Sequence, residues 1–541
     1  MTVVGIDLGT TYSAVARLDE MKKPDVLSNF EGTLFTPSVV YFENNQKVVV
    51  GEHAKNSSEI YPENVVEFVK NHMGSDRTWN FFGESYSPSK ISAIILQKLK
   101  QDAEEAMGKP VTGAVITVPA IFGEAQRNAT REAAAIAGLE VISLLDEPVA
   151  AALNYGLAKS TNQSPQNILV YDLGGGTFDL TIIRLSLDKL TMLHTKGDRM
   201  LGGKLWDDKI IEYVATCFKE KHDDDPLDNL DTRQYLRLIA EKAKKQLTAK
   251  EKAAITCHYG GKMERVEITR EIFEELTADL LERTETITAL AIKALVEKGD
   301  ITGWGDIDQV LLVGGASKMP QVSRMVQNLS GKKPRLADPD LAVAKGAALF
   351  SEMEIAKGFE ETGDSSKLQE HGIGPDELAL LPQKDVVPVC SFALGQKLRV
   401  VTSGNGSSGN GNEEVGRDGP QYVNQVLIHK NSQLPAHGKD VCFTIYPNQS
   451  SVKITVLEGD DPDPDRCFVI GEGAIVNIPD GLPAESPVEV EFTLTKESLI
   501  QVTAKELTYG TVCQFELKRE QGQSEEALMK QVVELAQKQI E

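Results

Sequence analysis

Apolar and polar positions alternate along the chain in two different ways, and the change falls near residue 357. Up to that point, short apolar runs alternate with longer segments whose apolar residues recur every three to four positions. This alternation predicts strands separated by helices, as in an α/β domain. The clearest predicted strands are Val3–Ile6, Ala114–Val118, Ile168–Tyr171 and Val310–Val313.

The longer periodic segments predict helices at 88–107, 124–137 and 232–250. Glycine follows the first two, at Gly108 and Gly138, where a helix commonly ends. These helices lie between predicted strands, which is the order expected of a sheet covered by helices.

Beyond residue 384 the chain alternates in short runs separated by turn-forming sequences, which is typical of an all-β domain. Before it, residues 358–384 are polar and interrupted by Gly and Pro, so they predict a linker region. Residues 403–419, SGNGSSGNGNEEVGRDG, predict a mobile loop because they are rich in Gly and Asn. A last helix is predicted to begin near Ser524. The predicted strands are Gln425–His429, Cys442–Tyr446, Val452–Leu457, Val488–Leu494 and Ile500–Ala504.

Composition narrows the class of protein. The chain has 541 residues, enough for two to four domains of roughly 100–200 residues each. Its 57 basic and 80 acidic side chains give a net charge of −23, which disfavours nucleic acid and anionic membranes as partners. The six cysteines are scattered without a CxxC pair, so we expect neither a disulfide framework nor a zinc site. With no secretion-signal pattern and no apolar run long enough for a membrane span, we expect a soluble cytoplasmic protein.

Two stretches suggest nucleotide chemistry: VGIDLGTTYS (4–13) and VYDLGGGTFD (170–179). Each places an aspartate, Asp7 or Asp172, at the end of a strand and then a turn of Gly and Thr. Such turns let backbone N–H groups reach phosphate oxygens, while the carboxylates could hold Mg²⁺, often through water. The sequence lacks the GxxxxGK[ST] pattern of a P-loop. The repetition suggests two similar lobes facing a shared cleft.

These stretches resemble the Hsp70 chaperone family, and the resemblance covers nearly the whole chain. It implies an α/β actin-like, two-lobed ATPase domain over 1–357, an interdomain linker over 358–384, a β-sandwich substrate-binding domain over 385–522 and the start of a C-terminal helix over 523–541. The other matching runs are FTPSVVYF (35–42), AVITVPAIF (114–122), IAGLEVISLLDEPVAAALNYG (136–156), an altered GDRMLGGKLWD (197–207), AEKAKKQLT (240–248), VLLVGGASKMP (310–320) and ADPDLAVAKGAA (337–348).

The resemblance also implies an ATPase mechanism. Lys70 in FVKNHMG would be the cation facing the phosphate, and Asp7 and Asp172 would hold hydrated Mg²⁺. Glu147, with Thr177 and Asp179, would position or deprotonate the attacking water. Placed charges of this kind are the usual means by which proteins catalyse phosphoryl transfer.

ATP or ADP would be bound with Mg²⁺, and the family pattern admits K⁺ as a further cation. The implied phosphate contacts are Gly9, Thr10, Thr11, Tyr12, Gly174, Gly175, Gly176, Gly202 and Gly203. For adenosine, Glu241, Lys244, Lys245 and Thr248 recur at helical spacing on one stripe, although spacing alone would more often indicate a solvated charged face. The other side of adenosine would be closed by Gly314, Gly315, Ala316, Ser317 and Lys318.

The chain departs from the family pattern at several positions. Ala135 stands where the family usually has an arginine that helps couple the two domains. Lys204 replaces an acidic residue, and Lys318 replaces an arginine that stacks near adenine. The linker carries an inserted Pro-Gln-Lys, and the loop 403–419 replaces one wall of the peptide cleft. None of these changes removes a metal or phosphate ligand, so we expect ATP binding to be retained.

Three hypotheses follow. The first is an ATP-dependent Hsp70-type chaperone acting in protein folding and the stress response. Its partners would be an unfolded or client polypeptide, a J-domain co-chaperone and a nucleotide-exchange factor. We expect fast peptide exchange, because the chain stops where the helical lid would begin. The second is a specialised relative that binds ATP to scaffold one dedicated partner. The third, a sugar kinase of the same fold, leaves the β-domain unexplained.

Overall fold

The computed structural model describes residues 2–157, 164–336, 338–362, 381, 384–400, 421–478, 480–495, 499–517 and 525–541. It divides into two compact units. The first contains residues 1–386 together with 522–541, and the second contains residues 387–521.

The first unit holds all the α-helices that the structure describes. In the second helix, Ser87 Oγ accepts a hydrogen bond from Lys90 N at 3.2 Å, Pro88 takes the first position and Gly108 ends the helix at φ 63°. This local chemistry explains why the predicted bounds 88–107 are confirmed. The helices are α1 (Glu52–Ser57), α2 (Pro88–Met107), α3 (Glu124–Ile136), α4 (Glu147–Leu157), α5 (Gly203–His222), α6 (Leu230–Ala249), α7 (Arg270–Leu276), α8 (Ala278–Lys298), α9 (Pro320–Ser330), α10 (Ala342–Thr362) and α11 (Glu525–Ala536).

Strands of the first unit form two large sheets and three smaller groups. In chain order they are β1 (Thr2–Asp7), β2 (Tyr12–Leu18), β3 (Pro24–Leu27), β4 (Thr36–Pro37), β5 (Val40–Phe42), β6 (Lys47–Val50), β7 (Val65–Val66), β8 (Trp79–Phe81), β9 (Glu84–Tyr86), β10 (Val111–Val118), β11 (Glu140–Asp146), β12 (Gln166–Leu173), β13 (Phe178–Leu185), β14 (Lys189–Asp198), β15 (Lys252–Tyr259), β16 (Lys262–Thr269), β17 (Gln309–Val313), β18 (Arg335–Leu336) and β19 (Asp385–Val387); the last strand of the chain, Gln539–Ile540, also belongs here.

The two large sheets have the same arrangement. One has the order β11-β10-β1-β2-β3, and the other has the order β18-β17-β12-β13-β14 with β19 added at its edge. In each, an antiparallel hairpin (β1-β2 or β12-β13) is joined by parallel strands on the side of its first strand. The turns that carry Asp7 and Asp172 therefore occupy equivalent places in two similar sheets.

Each sheet has its own hydrophobic core. One core contains Trp206, Tyr171 and Phe178, and the other contains Phe42, Tyr86 and Ile94. Helices α10 and α4 pack in close backbone contact, because a Cβ on Gly346 of α10 would lie 1.8 Å from the carbonyl oxygen of Ala150 in α4. Only glycine permits this approach.

The C-terminal segment packs on the first unit. Leu535 of α11 is buried in the core that contains Phe42. After α11, Gln539–Ile540 pairs in parallel with β6, and Lys538 Nζ donates to Glu84 at 2.8 Å. The sequence analysis predicted the helix but not this strand.

The second unit is built from two four-stranded antiparallel sheets around one hydrophobic core. The strands are β20 (Leu394–Arg399), β21 (Tyr422–Ile428), β22 (Ala436–Phe443), β23 (Val452–Glu458), β24 (Phe468–Ile475), β25 (Pro487–Leu494), β26 (Ile500–Glu506) and β27 (Val512–Leu517), so that the terminal strand Gln539–Ile540 is β28. The sheet orders are β21-β20-β23-β24 and β22-β25-β26-β27. The predicted strand Cys442–Tyr446 was misplaced, because β22 ends at Phe443 and begins six residues before Cys442 at Ala436.

The compact units differ in detail from the predicted segments. Helix α10 continues to Thr362, and β19 joins the sheet of β14 rather than the sandwich. The predicted loop 403–419 and most of the predicted linker lie outside the described residues. Among the helices that the structure describes, none is long and apolar enough to cross a membrane.

Candidate active site

A cleft of about 530 Å³ lies in the first unit where the turns after β1 and β12 converge. Its walls come from elements attached to both large sheets. The predicted site residues that line it are Asp7, Gly9, Thr10, Thr11, Tyr12, Lys70, Glu147, Asp172, Gly174, Gly175, Thr177, Gly203, Glu241, Lys244, Lys245, Thr248, Gly314, Gly315, Ala316 and Lys318.

Four predicted site residues lie behind this surface. A Cβ on Gly202 would lie 2.4 Å from Gly176 N, so these two glycines pack backbone against backbone. Gly176 also faces Asn71 rather than open space. Ser317 is buried and donates to Gly314 O at 2.6 Å, while Asp179 is buried and accepts from Ile121 N at 3.2 Å. These four residues pack or form hydrogen bonds behind the residues that line the cleft.

An ion pair lies at the centre of the predicted catalytic residues. Lys70 Nζ donates to Glu147 Oε1 at 2.5 Å, and both side chains are at least nine-tenths buried. Glu147 is the first residue of α4, directly after β11, and Lys70 lies in a short 3₁₀ helix, Val69–His72. The structure thus joins the predicted cation to the predicted water-positioning carboxylate.

Buried carboxyl groups surround this pair. Burial first, and repulsion from Glu147 second, raise the pKa of Asp7 to about 7 and the pKa of Asp179 to about 8. The same causes raise the pKa of Asp172 well above its ordinary value. Lys70 opposes all three shifts. The carboxyl groups of Asp7, Asp172, Asp179 and Glu147 therefore carry more potential negative charge than Lys70, the cation that opposes these shifts, can neutralise.

This excess suits a divalent cation. Within the described part of the chain, no three His, Cys, Asp or Glu side chains converge to hold a metal by themselves. Mg²⁺ typically keeps several waters and uses one or two carboxylates together with substrate phosphates. Asp7 and Asp172 fit that requirement, and the Oδ2 atom of Asp179 is buried without a hydrogen-bond partner.

We expect Mg-ADP binding to release protons at pH 7. The raised pKa values mean that Asp7 and Asp179 retain protons in the nucleotide-free protein, and a bound cation favours their charged forms. Roughly one proton should be released per nucleotide, measured as the dependence of the calorimetric binding enthalpy on the ionisation enthalpy of the buffer. At pH 9 the release should vanish, and no buffer dependence at pH 7 would contradict these shifts.

The raised pKa values of Asp7 and Asp179 also make the stability of the nucleotide-free fold depend on pH. Because both pKa values are raised above the ordinary value of 3.8, their stabilisation of the nucleotide-free fold is complete below that pH. It is lost as the pH rises through about 7 and 8.

Residues of the predicted adenosine stripe form ion pairs and hydrogen bonds with side chains on the opposite wall of the cleft. Lys55 of α1 forms an ion pair with Glu241 of α6 and donates to the hydroxyl of Tyr12 at 2.8 Å. Lys245 reaches Glu241 at 2.7 Å and Tyr12 at 3.0 Å. Burial alone would raise the pKa of Glu241, but Lys55 and Lys245 lower it to about 2. Glu241 is therefore part of a charged network in the cleft, while Lys245 pairs with it and keeps more than half of its side chain exposed to solvent.

Two other pairs complete this side. Lys244 Nζ lies 2.8 Å from Asp207 and donates to Gly203 O at 2.7 Å, which ties α6 to the start of α5. Lys318 forms an ion pair with Asp340. The ammonium of Lys318 is thus held by a carboxylate where the family pattern has a stacking arginine.

The cleft contains residues that the sequence analysis did not assign. Asp207 and Asp340 fall inside the matched runs GDRMLGGKLWD and ADPDLAVAKGAA, so the resemblance offered a signal for both. Phe68, Lys204 and Met319 also line the cleft, and they fall inside the runs FVKNHMG, GDRMLGGKLWD and VLLVGGASKMP. Lys55, Glu67 and Arg237 line it as well but belong to none of the matched runs. They reach the cleft only through tertiary packing.

The chain is similar to known proteins over most of its length. A profile of the family described as "Hsp70 protein" matches residues 3–82, 77–365 and 420–541. Over 516 residues the chain is 35% identical to the chaperone protein DnaK of Thermotoga neapolitana, covering 94% of this chain and 79% of that protein.

Proposed function

Because the chain belongs to the Hsp70 family, we propose that its first unit binds and hydrolyses ATP in the cleft to control how the second unit holds a polypeptide. The family makes the chain an ATPase and an ATP-dependent chaperone. The roles of individual residues and the finer partners are our proposal.

One observation carries the assignment of the cleft: the Asp-Gly-Thr turns of two similarly ordered sheets line the same space as the ion pair between Lys70 and Glu147. Such a pair of turns can offer backbone N–H groups to phosphate oxygens from two sides. This arrangement supports an actin-like pair of lobes.

We propose the following division of labour. Lys70 stabilises the negative charge that develops on the transferred phosphoryl group. Glu147 orients the attacking water, and Asp179 with Thr177 supports it. Asp7 and Asp172 would hold Mg²⁺, which when bound neutralises charge between the phosphates. Glu241, Lys244, Lys245 and Thr248 bind adenosine from one side.

The second unit would bind extended segments of unfolded proteins. Client polypeptides and co-chaperones follow from the likeness to a DnaK chaperone. Within the co-chaperones we propose a J-domain protein and a nucleotide-exchange factor. Nucleotide can change the affinity for peptide only if ATP and ADP favour conformations that bind peptide with different affinities.

Peptide binding tests this function. A fluorescent, unstructured peptide rich in Leu and Val is mixed with the full chain, and its anisotropy is followed in ADP and then in ATP. We expect binding in ADP and an affinity at least about tenfold weaker in ATP.

A peptide of equal length with Ser in place of Leu and Val serves as the control and should stay free. Absence of peptide binding in both nucleotide states would contradict general chaperone activity. That result would favour the hypothesis that the protein binds one dedicated partner.

A further inference from the structure

The segment before Lys70 has an unusual backbone. Phe68 adopts the left-handed conformation at φ 57°, and the 3₁₀ helix Val69–His72 that contains Lys70 follows at once. An aromatic residue rarely occupies this region, which costs energy unless its surroundings hold it. The position of Lys70 therefore depends on what holds Phe68.

Two cations from other elements contact the ring of Phe68. Lys204 Nζ lies 4.9 Å from the ring centroid, and the guanidinium carbon of Arg237 lies 6.0 Å from it. Lys204 is in the first turn of α5 and Arg237 is in α6. Both distances fit the attraction between a cation and the face of an aromatic ring.

The preceding residue is held by the same helix α6. Gln234 Nε2 donates to Glu67 Oε2 at 2.8 Å, and Arg237 lies 3.8 Å from the same carboxylate oxygen. Glu67 and Phe68 are thus held by residues far away in the sequence.

Lys204 also joins this segment to the glycine turn. Its backbone N donates to Gly175 O at 2.9 Å within YDLGGGTFD. The usual acidic side chain at this position would place negative charge against the negative face of the Phe68 ring. The positive charge of Lys204 is therefore favourable beside the ring of Phe68, where an acidic side chain would be repelled.

We propose that Lys204 is a positioning residue for ATP hydrolysis: its contact with Phe68 holds the turn of Lys70 in register with Glu147. This inference rests on the proposed catalytic role of Lys70. A displacement of Lys70 of about 1 Å would slow the chemical step strongly, because catalysis by placed charge depends on geometry.

The test uses Lys204→Met, which keeps the stem and removes the charge, in the full chain. We expect kcat for ATP to fall about tenfold while KM changes less than about threefold. Lys204→Arg should restore most of kcat, because the guanidinium also binds a ring face. Phe68→Leu should reproduce the loss, and the double variant should be no slower than either single one.

Different failures lead to different conclusions. If Lys204→Met raises KM with kcat unchanged, or if the losses in the double variant multiply, Lys204 does not act through Phe68 and the proposal is overturned. Unchanged kinetics in Lys204→Met overturn it as well. Failure of the proposed function would show separately, as wild-type turnover in a folded Lys70 variant. Fluorescence and ADP affinity verify that each variant is folded.

Discussion

Replacing Lys70 with alanine is expected to reduce the rate of ATP hydrolysis by roughly 10³-fold while ATP still binds. The ammonium of Lys70 is the cation that faces the group of buried carboxyls around Glu147. Because it acts on charge that develops during phosphoryl transfer, its loss should lower kcat far more than it raises KM. Single-turnover hydrolysis and equilibrium ATP binding measure the two effects.

A control separates this role from a general loss of positive charge. Lys252→Ala removes a mostly exposed lysine that pairs with Glu267 on the hairpin β15–β16. It does not line the cleft, so we expect its turnover to match the wild type.

Stability must be controlled as well. Removing Lys70 leaves Glu147 buried without its partner, which can cost about 3–5 kcal/mol of folding free energy. The double variant Lys70→Met/Glu147→Gln removes both charges and should recover much of that stability without recovering turnover. Near-normal hydrolysis in a folded Lys70 variant would refute the role assigned to this lysine.

Replacing Gly346 with alanine is expected to destabilise the first unit by about 3 kcal/mol or more. The added methyl group would lie 1.8 Å from Ala150 O and 2.4 Å from Ala150 C, both backbone atoms that cannot rotate away. Relief requires α10 to move from α4. A Cβ on Gly5 of β1 would meet the same helix at 2.1 Å from Ala348 N, so α10 has no space on its other side.

The same helix offers a matched control. Gly358 has no atom within 4 Å of an added Cβ, so Gly358→Ala should be neutral or stabilise by up to ~1 kcal/mol through helix propensity. Urea denaturation followed by tryptophan fluorescence reports the first unit, because Trp79, Trp206 and Trp304 all belong to it. If Gly346→Ala unfolds at the wild-type urea concentration, the close packing of α10 is wrong.

The predicted helix 88–107 was confirmed in both bounds because its signals are local. A capping serine, a proline and a terminal glycine lie next to the residues that they affect. The strand predicted at Cys442–Tyr446 was misplaced, because alternation alone does not set where pairing stops. In β22, pairing with β25 runs from Ala436 to Phe443.

The site residues also divide into those with a local sequence signal and those that only the fold brings to the cleft. The turns of Asp7 and Asp172 were recognisable because each is one contiguous run of an aspartate, glycines and threonine. Lys55 and Arg237 were missed because nothing in their neighbouring sequence distinguishes them from surface cations. Only the fold brings α1 opposite α6 and places both side chains in the cleft.

By itself, then, the sequence determined the α/β and all-β parts of the chain, the two Asp-Gly-Thr turns and the family, since these depend on local pattern. The tertiary structure alone decided the pairing of Lys55 with Glu241, the contact of Lys204 with Phe68 and the addition of Gln539–Ile540 to β6. Each of these joins residues that are distant along the chain. Their proximity arises from packing, for which a linear pattern has no signal.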